Sequence, residues 1–156
     1  MFVESQLLYP QRGPVPEKEY LVPLGMADIK RPETDLTIVG WGPAVADALK
    51  AAQRLQAELG VSAEVVDVRS LVPLDVDTIV ASVKKTGRCV VASHAVTIGS
   101  FMGQIVSVIQ ETAFDYLDGP VQRVGAKNGI APQSHILEAA FLPSADDIVA
   151  AARSLL

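Results

Sequence analysis

The sequence predicts an α/β domain of three layers, α/β/α, around a mainly parallel five-stranded sheet with one antiparallel edge strand. Two observations carry this. From Leu36 to the end, short runs rich in Val, Ile and Ala alternate with longer segments whose apolar residues recur at helical spacing. Such strand–helix alternation, closed by right-handed crossovers, places strands parallel and helices on both faces. Composition agrees: 49% hydrophobic, 20% charged and only 5% aromatic residues describe an aliphatic globular core. A length of 156 residues suits one ordinary domain that needs neither metal nor disulfide to fold.

Residues 1–23 stand apart from the rest. FVESQLLY is a short strand-like run, and the Pro- and Gly-rich PQRGPVPEKEYLVPLG after it prevents regular structure and reads as a linker. The chain is therefore expected to be the trailing part of something longer, with a boundary at 23/24 and Met1 not a native start.

From residue 24 the elements follow in order. MADIK is the edge strand, and LTIVGW (36–41) is an apolar strand. Residues 43–59 carry Val45, Leu49, Ala52, Leu55 and Leu59 at helical spacing and stop at Gly60. SAEVVDV (62–68) is the next strand; a helix from Val76 to Lys85 follows, N-capped by Asp75 and stopped by Gly87. RCVVAS (88–93) is a buried strand, and Ser100 to Phe114 is a helix presenting Phe101, Ile105, Val108, Ile109 and Thr112 on one face. After the DGP turn, VQRVGA (121–126) is the last strand. Ser144 and Asp147 then form a capping box that opens a final helix. No internal repeat is present.

In such sheets ligands lie beyond the carboxyl ends of the strands, which here means the loops 40–42, 69–73, 93–100 and 126–134. The turn GWGPAV resembles the start of a dinucleotide-binding unit, and Asp67 ends the next strand where a ribose-binding carboxylate would stand. Yet Val45 replaces the third glycine, and Pro43 removes an N–H that an anion would use. Gly42 is thus read as a tight turn with borrowed geometry. His94 ends a strand facing the crevice, without a nucleophile or carboxylate beside it in sequence. His135 is placed in a loop beside Ser134. Asp67 and Arg69, two apart at a strand end, share a face and are expected to pair or to touch a neighbouring subunit.

A net charge of −5 disfavours nucleic acid and anionic membrane surfaces as partners. The single cysteine, Cys89, has no intrachain disulfide partner, and no metal-ligand spacing is present. No apolar run reaches the length of a membrane span. A cytoplasmic location is expected, or the mitochondrial matrix in a eukaryote.

The stretch EVVDVRSLVPLDVDTIVASVKKTGR (64–88) resembles the C-terminal, transketolase-type domain of the β subunit of thiamine-diphosphate-dependent 2-oxoacid dehydrogenases, the E1 components of the pyruvate, branched-chain and acetoin complexes. PLGMADIKRPETDLTIVGWG precedes it and LEAAFLPSADDIVAAARSLL follows it in the same order, so the resemblance covers Pro23 to the end. FVESQLLYPQRG is similar to the last strand and linker of the domain before. The chain departs from the pattern at Ala95, where the family has Glu after the His, and at NGIAPQS, where it has T-P-V-P.

The resemblance implies an assembly domain with no catalytic residue, no metal site and no cofactor held by this chain. In the full enzyme, thiamine diphosphate and Mg²⁺ would be bound by the E1 α subunit and the preceding β domain. The implied partners are the E1 α subunit, a second E1 β subunit and the subunit-binding domain of the E2 acyltransferase. Gly42, Asp67, Arg69 and His94 would then be interface or crevice residues, and Asp118 would take part in E2 docking together with Leu156, whose carboxylate adds a second negative group if the native chain ends there. Two other classes compete: a nucleotide- or anion-binding regulatory module using the crevice near Gly42, Arg69 and His94, and an autonomous enzyme using His94.

Overall fold

A computed structural model describes residues 1–156. Its elements are β1 (Asp28–Arg31), β2 (Leu36–Gly40), α1 (Pro43–Leu59), β3 (Ala63–Asp67), α2 (Val76–Thr86), β4 (Cys89–Val96), α3 (Phe101–Ala113), β5 (Gln122–Ala126), α4 (His135–Phe141) and α5 (Ala145–Arg153). The strands form one five-stranded sheet in the order β1-β3-β2-β4-β5, with β1 antiparallel to β3 and every other pairing parallel. α1 and α5 pack on one face, over Leu36, Ile38, Val65, Val90 and Ala92. α2 and α3 cover the other, over Val39, Val66, Cys89 and Val91. The three-layer architecture expected from the alternation is the one observed. No helix is long and apolar enough to cross a membrane.

Local chemistry explains most boundaries. α1 starts at Pro43, whose missing N–H costs nothing at the first helical position. It ends at Gly60 with φ 69°, a left-handed conformation that glycine adopts without a Cβ penalty. α2 is capped by Asp75, which accepts from the Thr78 N–H at 3.1 Å and the Thr78 hydroxyl at 2.8 Å. The same carboxylate accepts from the Ala27 N–H at 2.9 Å, so one side chain ties the cap of α2 to the approach to β1. At α5 the capping box is complete: Asp147 accepts from both the N–H and the hydroxyl of Ser144, at 2.8 and 2.7 Å.

Four expectations need correction. FVESQLLY is not a strand; Gln6–Leu8 is a single 3₁₀ turn, and Phe2, Val3 and Leu7 are exposed. A strand needs a partner ladder for its backbone groups, and this segment pairs with neither sheet edge. In α3 the buried residues are Met102, Ile105, Ile109 and Ala113, while Thr112 faces outward and donates its hydroxyl to the Val108 carbonyl at 2.6 Å. β4 runs three residues past Ser93 and takes in His94. His135 belongs to a helix, α4, rather than a loop. α4 is only seven residues long, too short for helical periodicity to distinguish it from a loop, and it buries none of them.

The Asp75 cap yields a test. Burial pushes its carboxyl up, but the donors from Ala27 and Thr78 outweigh that and hold it below the usual carboxylate range. A carboxyl depressed in the folded state contributes stability above the unfolded value, about 3.9, and loses it as pH falls through the folded one. Asp75→Ala should cost about 1–2 kcal/mol near neutral pH. Urea midpoints measured from neutral pH downward should converge for variant and wild type in acid.

Candidate functional site

Strand order reverses direction between β2 and β4: the chain leaves β2 into α1 on one face and leaves β4 into α3 on the other. That switch point is where a crevice opens at the carboxyl edge of an α/β sheet. Val90 and Ala92 of β4 point toward α1, and His94 continues on that side. Its Nε2 lies 3.1 Å from Oδ2 of Asp47, in the second turn of α1. Both side chains are about four-fifths buried, at 19% and 21% exposure, and Asp47 Oδ1 also meets the exposed Lys50 ammonium at 3.4 Å. The carboxylate partner absent beside His94 in sequence therefore comes from 47 residues earlier.

The His94 arrangement depends on a bulge. β4 and β5 run in register to Ala92↔Val124, and the next pair is Val96↔Ala126, so β4 holds extra residues around His94. Opposite them is Gly125. A Cβ there would lie 2.7 Å from the Ala95 carbonyl oxygen and 2.5 Å from the Met102 methyl. Only glycine leaves room for the displaced strand.

The other predicted residues fall in separate places. Gly42 caps α1 with φ 57°, and a Cβ there would meet nothing within 4 Å. Its glycine is required by backbone conformation rather than by close approach of a ligand. Arg69, with φ 55°, is the sole non-glycine residue in the left-handed region. Its N–H donates to Asp67 Oδ1 at 3.1 Å, but its guanidinium reaches Asp28 of β1 at 2.5 Å. The expected Asp67–Arg69 side-chain pair is thus replaced by a clasp across the β1 edge. Burial pushes the Asp67 carboxyl up, while the Lys30 bond, with the Arg69 charge behind it, holds that of Asp28 down. No hydrogen bond or ion pair links Gly42, Arg69 and His94. His135 opens α4 fully exposed, 3.8 Å from Glu138.

At the opposite, amino edge, Asp118 stands exposed with Arg88 Nε at 3.6 Å, and its N–H donates to the Gly87 carbonyl at 2.8 Å. The side chain of Leu155 lies 3.6 Å from where a Gly119 Cβ would sit, which brings the exposed Leu156 alongside this turn. The sequence reading missed Asp47 altogether, and it missed an apolar group in the carboxyl-edge loops. There Ile98 and Ile130 are 72% and 96% exposed, and Ile136, in the first turn of α4 that follows the last loop, is 82% exposed. The Ile98 N–H donates to Asn128 Oδ1 at 3.3 Å, so two of these loops adjoin. Isoleucine inside a loop was the available signal.

Residues 25–148 match the family described as transketolase, C-terminal domain. The chain belongs to that family. Over its whole length it is 43% identical to the pyruvate dehydrogenase E1 component subunit beta of Bacillus subtilis (strain 168), covering 48% of that protein. It is 41% identical, over 99% of its length, to the acetoin:2,6-dichlorophenolindophenol oxidoreductase subunit beta of the same organism, covering 45% of that protein. Among solved structures, a split-gene transketolase described as an inactive beta4 tetramer superposes with a TM-score of 0.73 at 32% identity, over 88% of this chain and 43% of that one. This transketolase C-terminal domain therefore spans about half the length of the curated relatives it matches.

Gly125→Ala tests the bulge. The added methyl must displace either a backbone carbonyl or the Met102 side chain, so a loss of about 1–3 kcal/mol is expected in chemical denaturation. The His94 ring resonances should move with it, because the bulge sets the reach of His94 to Asp47.

Proposed function

We propose that this chain is the C-terminal assembly part of an E1 β subunit in a thiamine-diphosphate-dependent 2-oxoacid dehydrogenase, contributing contacts to a second β subunit and to E2 rather than catalytic groups. The observation that carries the reading is the 43% identity to a pyruvate dehydrogenase E1 β subunit across the entire chain. The exposed isoleucines of the carboxyl-edge loops support it, since large apolar side chains clustered in adjoining loops suit a subunit interface. Residues 1–23 would be the end of a preceding domain and its linker, in keeping with their exposed apolar side chains.

The residues present do not fit thiamine diphosphate or Mg²⁺. The N-terminus of α1, one of the two helix starts at the switch point, offers Pro43 in place of a donor and places Asp47 one turn further on. Arg69 is already engaged by Asp28. Nowhere do three His, Cys, Asp or Glu side chains converge as metal ligands would. These features also weigh against a nucleotide in the same crevice. Within the proposed assembly, His94 and Asp47 would stiffen the crevice wall, and the acidic turn at Asp118, with Leu156 beside it, would meet basic and apolar side chains of E2.

Two measurements test this. Calorimetric titration of the chain with thiamine diphosphate and Mg²⁺ should give no binding heat, and a stoichiometric isotherm would sink the assembly reading. Asp118→Asn combined with deletion of Leu156 should weaken binding of the E2 subunit-binding domain, and wild-type binding should fall as salt rises. Unchanged affinity in the double variant, or salt-independent binding by the wild type, would remove this surface from the docking site.

A further inference from the structure

We propose that the outer edge of β5 accepts an extended acidic segment of another protein as an added strand. β5 is the last strand of the sheet, with β4 on one side and no strand on the other. The Ala126 carbonyl points inward, accepting the Thr97 hydroxyl at 3.2 Å, while the Lys127 N–H points outward to the Phe141 carbonyl at 3.1 Å. Backbone groups of alternate residues point the same way along a strand. Arg123 and Gly125 therefore turn their N–H and C=O groups outward, and no turn or loop group bonds to them. A groove of about 520 Å³ runs along this edge, with Phe141, Leu142 and Ala151 as its apolar wall.

Charge selects the occupant. From β1 onward, almost every Lys and Arg is committed: Lys30, Arg31, Lys50, Arg54, Arg69, Lys85, Arg88 and Arg153 form ion pairs, and Lys84 lies over the Tyr116 ring. Arg123 and Lys127 are the exceptions, and both line this groove. Arg123 donates only to the Thr97 carbonyl, at 3.3 Å. Asp147, also in the groove, is held ionised first by the Ser144 hydroxyl and N–H and only weakly by Lys127, with which it forms no ion pair. Two free cations four residues apart on extended backbone stand about 13 Å apart. One phosphate or small carboxylate cannot bridge that distance. Two acidic side chains four apart on an added strand can, while its backbone pairs with Arg123 and Gly125 and an intervening apolar residue meets Phe141.

The groove borders the carboxyl-edge loops through Thr97 and Lys127 but excludes the Asp118 turn; a variant at Arg123 and Lys127 leaves Ile98, Ile130, Ile136 and Asp118 in place, so either reading can fail without the other. The probe is a fluorescein-labelled peptide of alternating Thr and Val with two Glu four residues apart, titrated into the full chain by anisotropy. Binding should weaken as salt rises, protect the Arg123 and Gly125 amides from exchange, and drop by roughly tenfold in Arg123→Gln/Lys127→Gln. A backbone N-methylated peptide and a Lys-for-Glu peptide should not bind. Succinate in excess should not compete. Absence of binding, equal binding by the N-methylated or Lys peptide, competition by succinate, or unchanged affinity in a double variant with unaltered thermal melting would each overturn the proposal. So would self-association of the double variant without peptide binding by the wild type, because the two cations would then serve only to keep the edge from pairing with other copies.

Discussion

A parallel sheet must be covered on both faces, and that requirement shapes the rest of this molecule. All five residues of β2 are buried, and Leu36, Ile38 and Val39 have no exposed surface. Each such side chain contributes about 1.5–3 kcal/mol of burial, but only if helices close over it from both sides. α1 can approach closely because its inner face is Ala44, Ala48, Ala51 and Ala52, with Leu55 as the one large side chain. The opposite face is built from larger residues, Ile79, Val83, Met102, Ile105 and Ile109.

Burial on both faces leaves little tolerance for polar groups, and most of those inside find partners, Glu64 Oε1 and Ser100 Oγ being exceptions. Thr37, at the centre of the sheet, bonds the Ser82 carbonyl at 3.1 Å and the Thr86 hydroxyl at 2.8 Å. Thr86 in turn donates to or accepts from its neighbours in the last turn of α2, so the polar residues of that turn close a small network instead of breaking the helix. Glu64, fully buried on β3, is paired with Lys85 and accepts from the Glu33 N–H at 3.3 Å. The charges that remain at the periphery knit neighbouring elements: Arg69 to β1, Arg54 and Arg153 of α1 and α5 to carboxylates across that helix pair.

With its faces closed, the domain presents chemistry only at strand ends, loops and the two sheet edges. At the carboxyl end of the sheet His94 is turned to Asp47 and Arg69 to Asp28, so neither is free to receive a ligand. What this end exposes instead is apolar: Ile98, Ile130 and Ile136. Exposed isoleucines beside one another on adjoining loops favour contact with another apolar surface.

The sequence by itself determined the class of fold and the place of nearly every strand and helix, because these depend on near-neighbour effects: the period of apolar residues, Pro43 at a helix start, Asp75 and Ser144 as caps, Gly60 and Gly87 as stops. It failed where local signals were ambiguous, at α4, whose seven residues are too few to show a helical period, and at FVESQLLY, whose composition suits a strand but whose backbone finds no edge to join. The tertiary structure alone decided which side chains meet. Asp47 and His94 are far apart in the chain, and only the return of β4 to lie beside β2 brings them within 3.1 Å. Arg69 has Asp67 two residues away yet reaches Asp28, because β1 lies antiparallel along β3 and carries Asp28 opposite Asp67. Pairings of this kind are set by sheet order and register, which are properties of the whole folded chain and not of any stretch within it.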